Sequence, residues 1–325
     1  MHIGIAFDLR PDRPTRPNLP DDWAEEFDSP ATVEAIAAAL RSNGHTVSEL
    51  GDGRLFLEKL LADPPDLVFN IAEGVGIGRS REARVPAVCE MLGVPYTGSD
   101  PLTLAATLDK DVARRLVASA GVKVPAGVVF SPGGRDCADR LPFPVIVKPA
   151  WEGSSKGIHG KALAWKPAEV RATVGEQLRG YRQPVLVEEF IAGDELTVGI
   201  LGDRVLGVMR VVPNRPDPQF VYSLDVKRDW RNRVRYECPA RLPAEALEKV
   251  QAAALTSCRA LGCRDVARVD FRLRDGVPYF IEANPLPGLN PDSGDLVILA
   301  GLVGVGHAEL IGRIVDSALE RLNHS

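Results

Sequence analysis

Arg268, Asp270, Glu282 and Asn284 are the residues of this chain whose types and spacing point most directly to chemistry. Val266, Arg268, Asp270 and Arg272 alternate with Ala267, Val269, Phe271 and Leu273, which is the period of a strand with one buried and one wet face. Asp275-Gly276 predicts a tight turn, so Val277 to Ala283 returns antiparallel and brings Glu282 and Asn284 back beside Asp270. Two carboxylates and an amide oxygen are hard ligands of the kind that suit Mg²⁺, an ion that takes one or two protein carboxylates and bridges to phosphate oxygens. A hairpin with a solvated polar face has the same spacing. What distinguishes this one is Pro285-Leu286-Pro287-Gly288, which cannot continue a strand and reads as a loop held close to something.

Two other stretches could serve a nucleotide. In Phe143-Pro144-Val145-Ile146-Val147-Lys148 a β-branched strand ends on a lysine, and Glu152-Gly153-Ser154-Ser155-Lys156-Gly157 follows. Small residues let backbone amides approach a polyphosphate, and the lysine adds a point charge. A plain hairpin turn has the same composition, and neither GxxxxGK[ST] nor GxGxxG is present. Val185 to Leu201 reads as strand, turn and strand; its run from Glu188 through Phe190 and Ile191 offers apolar walls and a carboxylate for a nucleobase, and Glu195 could hold ribose hydroxyls. Read alone, it is equally an edge hairpin with solvated acids.

These stretches sit in a chain of 325 residues, long enough for two or three domains. A hydrophobic content of 45 % supports real cores, and a net charge of -5 gives no reason to expect a nucleic-acid or membrane partner. Five cysteines without a CxxC pair argue for free thiols in a reducing cytoplasm, and His2, His45, His159, His307 and His324 are too scattered for zinc. No signal peptide or transmembrane helix is expected. The opening is an α/β unit. A strand from His2 to Phe7, a proline-rich loop to Asp22, a helix capped by Ser29-Pro30, and strands at His45–Leu50 and Asp66–Ile71 imply parallel order. A helix over Asp109–Ala120 and a strand over Val124–Phe130 follow.

Taken together and in order, Leu108-Asp109-Lys110, Val147-Lys148-Pro149 with Glu152-Gly153-Ser154-Ser155, Val187-Glu188-Glu189, Arg268-Val269-Asp270, and Glu282-Ala283-Asn284 with Pro287-Gly288 resemble the ATP-grasp superfamily and, within it, the D-alanine–D-alanine ligase family. The resemblance runs from Ile3 to about Leu322. It implies a three-domain α/β (α+β) fold: an N-terminal parallel domain over 1–100, a central subdomain over 101–183, and a C-terminal subdomain over 184–325 carrying the metal site, with ATP gripped between two antiparallel sheets. It implies Lys110 and Lys148 on the phosphates, Glu188, Phe190 and Ile191 on adenine, Glu195 on ribose, and Asp270, Glu282 and Asn284 on two Mg²⁺ ions, with Mn²⁺ as an alternative. Arg268 and the Gly288 amide fall where the family stabilises an oxyanion. Ser293 falls where it binds the second amino acid's carboxylate, and Glu25 with Ser154 where it binds the first amino acid's ammonium. Residues 212–235, with Lys227, read as a lid, against an exposed basic loop with no role. The family is commonly dimeric through its first domain.

Four departures lie on the amino-acid side. Arg228 stands where the family usually has tyrosine, and Asn70–Gly74 with Gly78–Glu82 replace a His-Gly and Gly-Glu-Asp-Gly segment. Arg10–Asp22 replaces a glycine-rich loop, and Gly294 replaces a leucine. Arg79, Arg81 and Arg228 could accept a second carboxylate, although solvated surface arginines are the commoner case. The resulting expectation is a carboxylate–amine ligase working through an acyl phosphate on D-alanine. Its alternatives are the same chemistry on another amino acid, hydroxy acid or specialised metabolite, and a nucleotide-binding protein without ligase activity.

Overall fold

The computed structural model describes residues 1–11, 19–134, 137–159 and 162–324. Most of the proline-rich loop expected between Arg10 and Asp22 therefore lies outside the described residues. The chain begins with β1 (His2–Ala6), α1 (Pro30–Ser42), β2 (Thr46–Gly51), α2 (Gly53–Ala62), β3 (Leu67–Asn70) and α3 (Arg84–Leu92). β1 lies between β2 and β3, parallel to both, as βαβ connections require. Helix α1 starts as its sequence predicts, with Pro30 at the first position and the Ser29 side chain accepting from Thr32 N at 3.1 Å.

The middle of the chain supplies α4 (Pro101–Leu108), α5 (Lys110–Ser119), β4 (Gly127–Phe130), β5 (Val145–Pro149), β6 (Leu163–Ala164), α6 (Pro167–Tyr181) and β7 (Val185–Glu189). The sheet order is β4-β7-β5-β6 and every pairing is antiparallel. β7 lies between β4 and β5, so residues 185–189 belong to the central sheet.

The last part supplies β8 (Asp194–Leu201), β9 (Arg204–Pro213), α7 (Leu224–Arg228), α8 (Trp230–Arg233), β10 (Val234–Glu237), α9 (Ala244–Leu261), β11 (Val266–Arg274), β12 (Val277–Asn284), α10 (Asp295–Leu302) and α11 (His307–Asn323). β10-β9-β8-β11-β12 form one antiparallel sheet. One face, with Ala267, Val269, Phe271 and Leu273, packs on Val250 and Ala254 of α9. The opposite face carries Arg268 and Asp270. It was expected to be wet, yet Arg268 is only 8 % exposed, set among Asp270, Glu282 and Asp295.

Helices α10 and α11 return to the beginning of the chain. Leu296, Leu310, Ile311 and Ile314 share a core with Ile3, Ile5, Ile36 and Leu40, so the C-terminal helices cover one face of the first sheet. That packing ties the loop at 285–294 to the N-terminal domain, and Asn290 Nδ2 donates to Thr32 Oγ1 at 2.9 Å. Among the described residues no single helix is long and apolar enough to cross a membrane.

Candidate active site

The cluster begins with strand register. Arg268 pairs with Asn284 and Asp270 with Glu282 across β11 and β12, while Phe271 pairs with Phe280. The extra residue, Ile281, is a β-bulge that reverses the phase of the strand: Phe280 stays in the core and Glu282 turns to the other face beside Asp270. Thr197 Oγ1, from β8, donates to Asp270 Oδ1 at 2.9 Å.

These acids already hold the protein's own cations. Arg268 donates to Asp270 Oδ2 through Nε (3.1 Å) and Nη2 (2.9 Å), and reaches Asp295 at 3.3 Å and Glu282 at 3.5 Å. Lys110 lies 3.1 Å from Glu282. Burial pushes both carboxyls up. For Asp270 it prevails over Arg268 and lifts the group to about 6, whereas Lys110 and Arg268 outweigh it at Glu282 and hold that carboxylate well below its ordinary range. Two carboxylates and the Asn284 amide are a fitting donor set for Mg²⁺ completed by phosphate oxygens.

A narrow slot and a larger cavity of about 490 Å³ meet at Lys227, Glu282 and Asp295. The slot is lined by Lys148, Glu188, Phe190, Ile191 and Glu195, all of them expected on the nucleotide. Lys148 and Glu188 pair at 2.5 Å from neighbouring strands. Glu195, expected on ribose, accepts from Arg272 Nη1 at 2.7 Å, and the Arg272 guanidinium lies over the Phe190 ring, 5.1 Å from its centroid. The cavity takes in Glu25, Ser154, Arg228, Gly288, Ser293 and Lys110.

The segment expected as a lid is folded down. Residues 220–236 form a small cluster in which Tyr222 and Val226 pack with Val211 and Val234. Arg272 Nη1 donates to Phe220 O (2.9 Å), Leu224 N to Ile158 O (3.2 Å) and Tyr222 Oη to Asp295 Oδ1 (2.9 Å). Arg228 closes the far end by donating to Glu25 at 2.5 Å, and Lys227 stands over the Tyr222 ring.

The glycine-rich loop is pinned from the first domain by Glu26, which the sequence did not single out. Its carboxylate accepts from Gly153 N (2.6 Å), Lys156 Nζ (3.2 Å) and Arg81 Nη2 (2.8 Å), while Arg81 Nη1 donates to Trp151 O at 2.7 Å. Glu152 pairs with Lys156 and accepts from Gln183 Nε2 at 2.5 Å. Ser154 and Ser155 are left-handed (φ 49° and 59°), which turns the loop between the two cavities; Ser154 lines one and Ser155 the other. Arg81 is 1 % exposed, Arg79 is paired with Asp109, and Arg228 with Glu25. The three arginines that could have accepted a second substrate carboxylate or a larger acid are instead matched by protein acids.

Gly294 has a steric cause. A Cβ there would lie 2.4 Å from Gly288 O and 3.0 Å from Asn290 O. The neighbouring Ser293 hydroxyl donates to Asn290 Oδ1 at 3.0 Å. Asp295, also missed, is 8 % exposed and joins Arg268, Lys227 and Tyr222; its only sequence signal is an acid opening a helix after the proline-rich loop.

Residues 131–316 match the family model described as the D-ala D-ala ligase C-terminus. A D-alanine–D-alanine ligase of Gluconobacter oxydans is 34 % identical over 89 % of this chain and 93 % of its own length. The chain belongs to the D-alanine–D-alanine ligase family. It is an ATP-dependent carboxylate–amine ligase of that type. An uncharacterized protein, y4sG, of Sinorhizobium fredii is 35 % identical over 94 % of the chain and 91 % of its own length. The fold matches the D-alanine–D-alanine ligase of Bacillus anthracis complexed with ATP at a TM-score of 0.76, with 23 % identity over 100 % of this chain and 99 % of that one.

Proposed function

We propose that this enzyme joins the carboxylate of one amino acid to the amine of another, with D-alanine as the reference substrate, and that the junction of slot and cavity is where phosphoryl and acyl transfer occur. The observation that carries this reading is the position of Glu282 and Lys227 on both openings, with Asp270 directly across the hairpin from Glu282. Phe190 and Ile191 wall the adenine, Glu188 accepts its amino group, and Glu195 takes the ribose hydroxyls. Lys148, Lys110 and Lys227 spread the phosphate charge. Asp270, Glu282 and Asn284 would hold two Mg²⁺ ions, or Mn²⁺. When bound, the metal neutralises charge on the transferring phosphoryl group.

A carboxylate oxygen of the first substrate attacks the γ-phosphorus and ADP leaves. The second substrate's amine then attacks the acyl carbon of the acyl phosphate, the C–O bond electrons depart with phosphate, and the proton the amine gives up leaves on that phosphate. Arg268 now neutralises Asp270, Asp295 and Glu282. With Asp270 and Glu282 holding a cation, the N–H groups of Arg268 would be free to stabilise the oxyanion, together with the Gly288 amide. Arg228 and Glu25 latch the lid and keep water from the acyl phosphate, Ser154 orients the first substrate, and Ser293 receives the second carboxylate. Five free thiols suit the cytoplasm, and a homodimer through the first domain is part of the same reading.

Phosphate release is measured with ATP, Mg²⁺ and D-alanine. Asp270→Asn is expected to lower it at least about 100-fold with an unchanged circular dichroism spectrum. A variant as active as the parent overturns the metal assignment. No release from D-alanine overturns D-alanine as a substrate.

A further inference from the structure

One short segment of the first domain holds the glycine-rich loop at both ends. Glu26 takes Gly153 N where the loop begins, and Asp22 takes Gly157 N where it ends, at 2.7 Å. Asp22 is 1 % exposed. Its other partners are the Tyr181 hydroxyl, which donates to Oδ1 at 2.8 Å and to Oδ2 at 2.7 Å, and His159 Nε2, 3.1 Å from Oδ2. Among the described residues no lysine or arginine pairs with it. A carboxylate withdrawn from water is costly unless hydrogen bonds replace its hydration, and here one of those bonds goes to the backbone of a loop in another domain.

Gly157 is a tight joint. Its φ is 74°, and a Cβ there would lie 2.5 Å from Pro149 Cδ, so the end of the loop is pressed against the end of β5, beside Lys148. Gln177 Nε2, from α6, donates to Gly157 O at 3.0 Å and to Val147 O at 3.1 Å. One residue further on, Ile158 O accepts from Leu224 N of the folded-down lid. The first domain, β5, α6 and the lid thus meet within two residues. Between the two anchors, neither Ser154 N nor Ser155 N donates to a described residue, and Ser154 lines the cavity while Ser155 lines the slot. Backbone amides hold a phosphate best when their direction is fixed before it arrives.

We propose that Asp22 is a positioning residue for the nucleotide: it acts through Gly157, fixing the exit of the loop so that the Ser154 and Ser155 amides are aimed before ATP binds. The inference rests on the reading of the slot and its junction as the ATP site. Asp22 itself lines neither the slot nor the cavity, so its effect reaches the ligand only through the loop it holds.

The test is the Kd of the full chain for the Mg²⁺ complex of a non-hydrolysable ATP analogue, measured by isothermal titration calorimetry without any amino acid. Asp22→Ala is expected to raise it about tenfold or more, the effect of losing a hydrogen bond to a charged group. Asp22→Asn keeps an oxygen for Gly157 N and is expected to stay within about threefold of the parent. Tyr181→Phe takes a different hydrogen bond from Asp22, leaves Gly157 N its acceptor, and is expected within the same range even though its thermal midpoint falls. Binding by Asp22→Ala within threefold of the parent, or binding by Asp22→Asn or Tyr181→Phe as weak as that of Asp22→Ala, overturns the anchor and leaves the nucleotide site standing. A parent with no affinity for the analogue overturns both. Should Asp22→Ala not fold, the parent decides: without nucleotide its Gly157 N–H is expected to exchange with deuterium at least about 100-fold more slowly than an open loop amide, and exchange at the open rate overturns the anchor.

Discussion

Replacing Arg81 by methionine removes the buried cation that joins the first domain to the glycine-rich loop. Arg81 is 1 % exposed; it donates to Glu26 and Trp151 O and lies 3.6 Å from Glu152. Burial pushes the Glu26 carboxyl up, but Arg81 and then Lys156 outweigh it and hold it at about 2 against its ordinary 4.5. That depression corresponds to about 3 kcal/mol of stability at neutral pH. The contribution is fully present above pH 4.5 and is lost as pH falls towards 2. In Arg81→Met, Glu26 and Glu152 share Lys156 alone and burial dominates both, so the loss at pH 7 is expected to be about 3–5 kcal/mol, the range for a buried pair deprived of one partner. The stranded acids of the variant take up protons as pH falls, which removes much of the penalty. Thermal unfolding of parent and variant at pH 7 and pH 4.5, followed by circular dichroism, reads the effect as a gap in midpoint that narrows on acidification. A loss under about 1 kcal/mol, or a gap equal at both pH values, refutes the claim that this charge network holds the loop.

Two further perturbations test other parts of the structure. Gly294→Leu, which restores the side chain usual in the family, drives a Cβ to 2.4 Å from Gly288 O and is expected to cost about 1–3 kcal/mol together with most of the activity; a stable, active variant would mean that the 288–294 loop is looser than described. Asp8 is raised to about 8 by burial and by Asp52, and its Oδ2 accepts from Gly74 N at 2.6 Å. An acid with a raised folded pKa loses stability as pH climbs from its unfolded value to its folded one, here from about 4 to about 8. Asp8→Asn keeps the acceptor for Gly74 N and is expected to flatten that decline, so the two proteins should match near pH 4 and diverge by pH 8; parallel curves across the range exclude the assignment.

The hairpin of the site could be read before any fold was known. A period-two pattern, an Asp-Gly turn and a proline-rich stop predicted two antiparallel strands that bring Glu282 and Asn284 back near Asp270, because those signals act over a few residues. The β-bulge at Ile281 could not be read in this way: Phe280 and Glu282 sit two apart, where an unbroken strand puts both on one face, and only packing of Phe280 into the α9 core decides which one turns away. Glu26 was passed over for its neighbour Glu25 for the same kind of reason, since adjacent acids in a loop carry no period and their roles depend on partners 55 and 127 residues away. Arg79, Arg81 and Arg228 looked available because sequence shows charges without their counter-ions; folding matched each to an acid. The sequence by itself determined the strands, the order of the motifs and the family, all of which rest on local pattern. The tertiary structure alone decided which charges neutralise one another and which remain for a ligand, because electrostatic pairing is settled by distance in space and by exclusion of water, and neither is written along the chain.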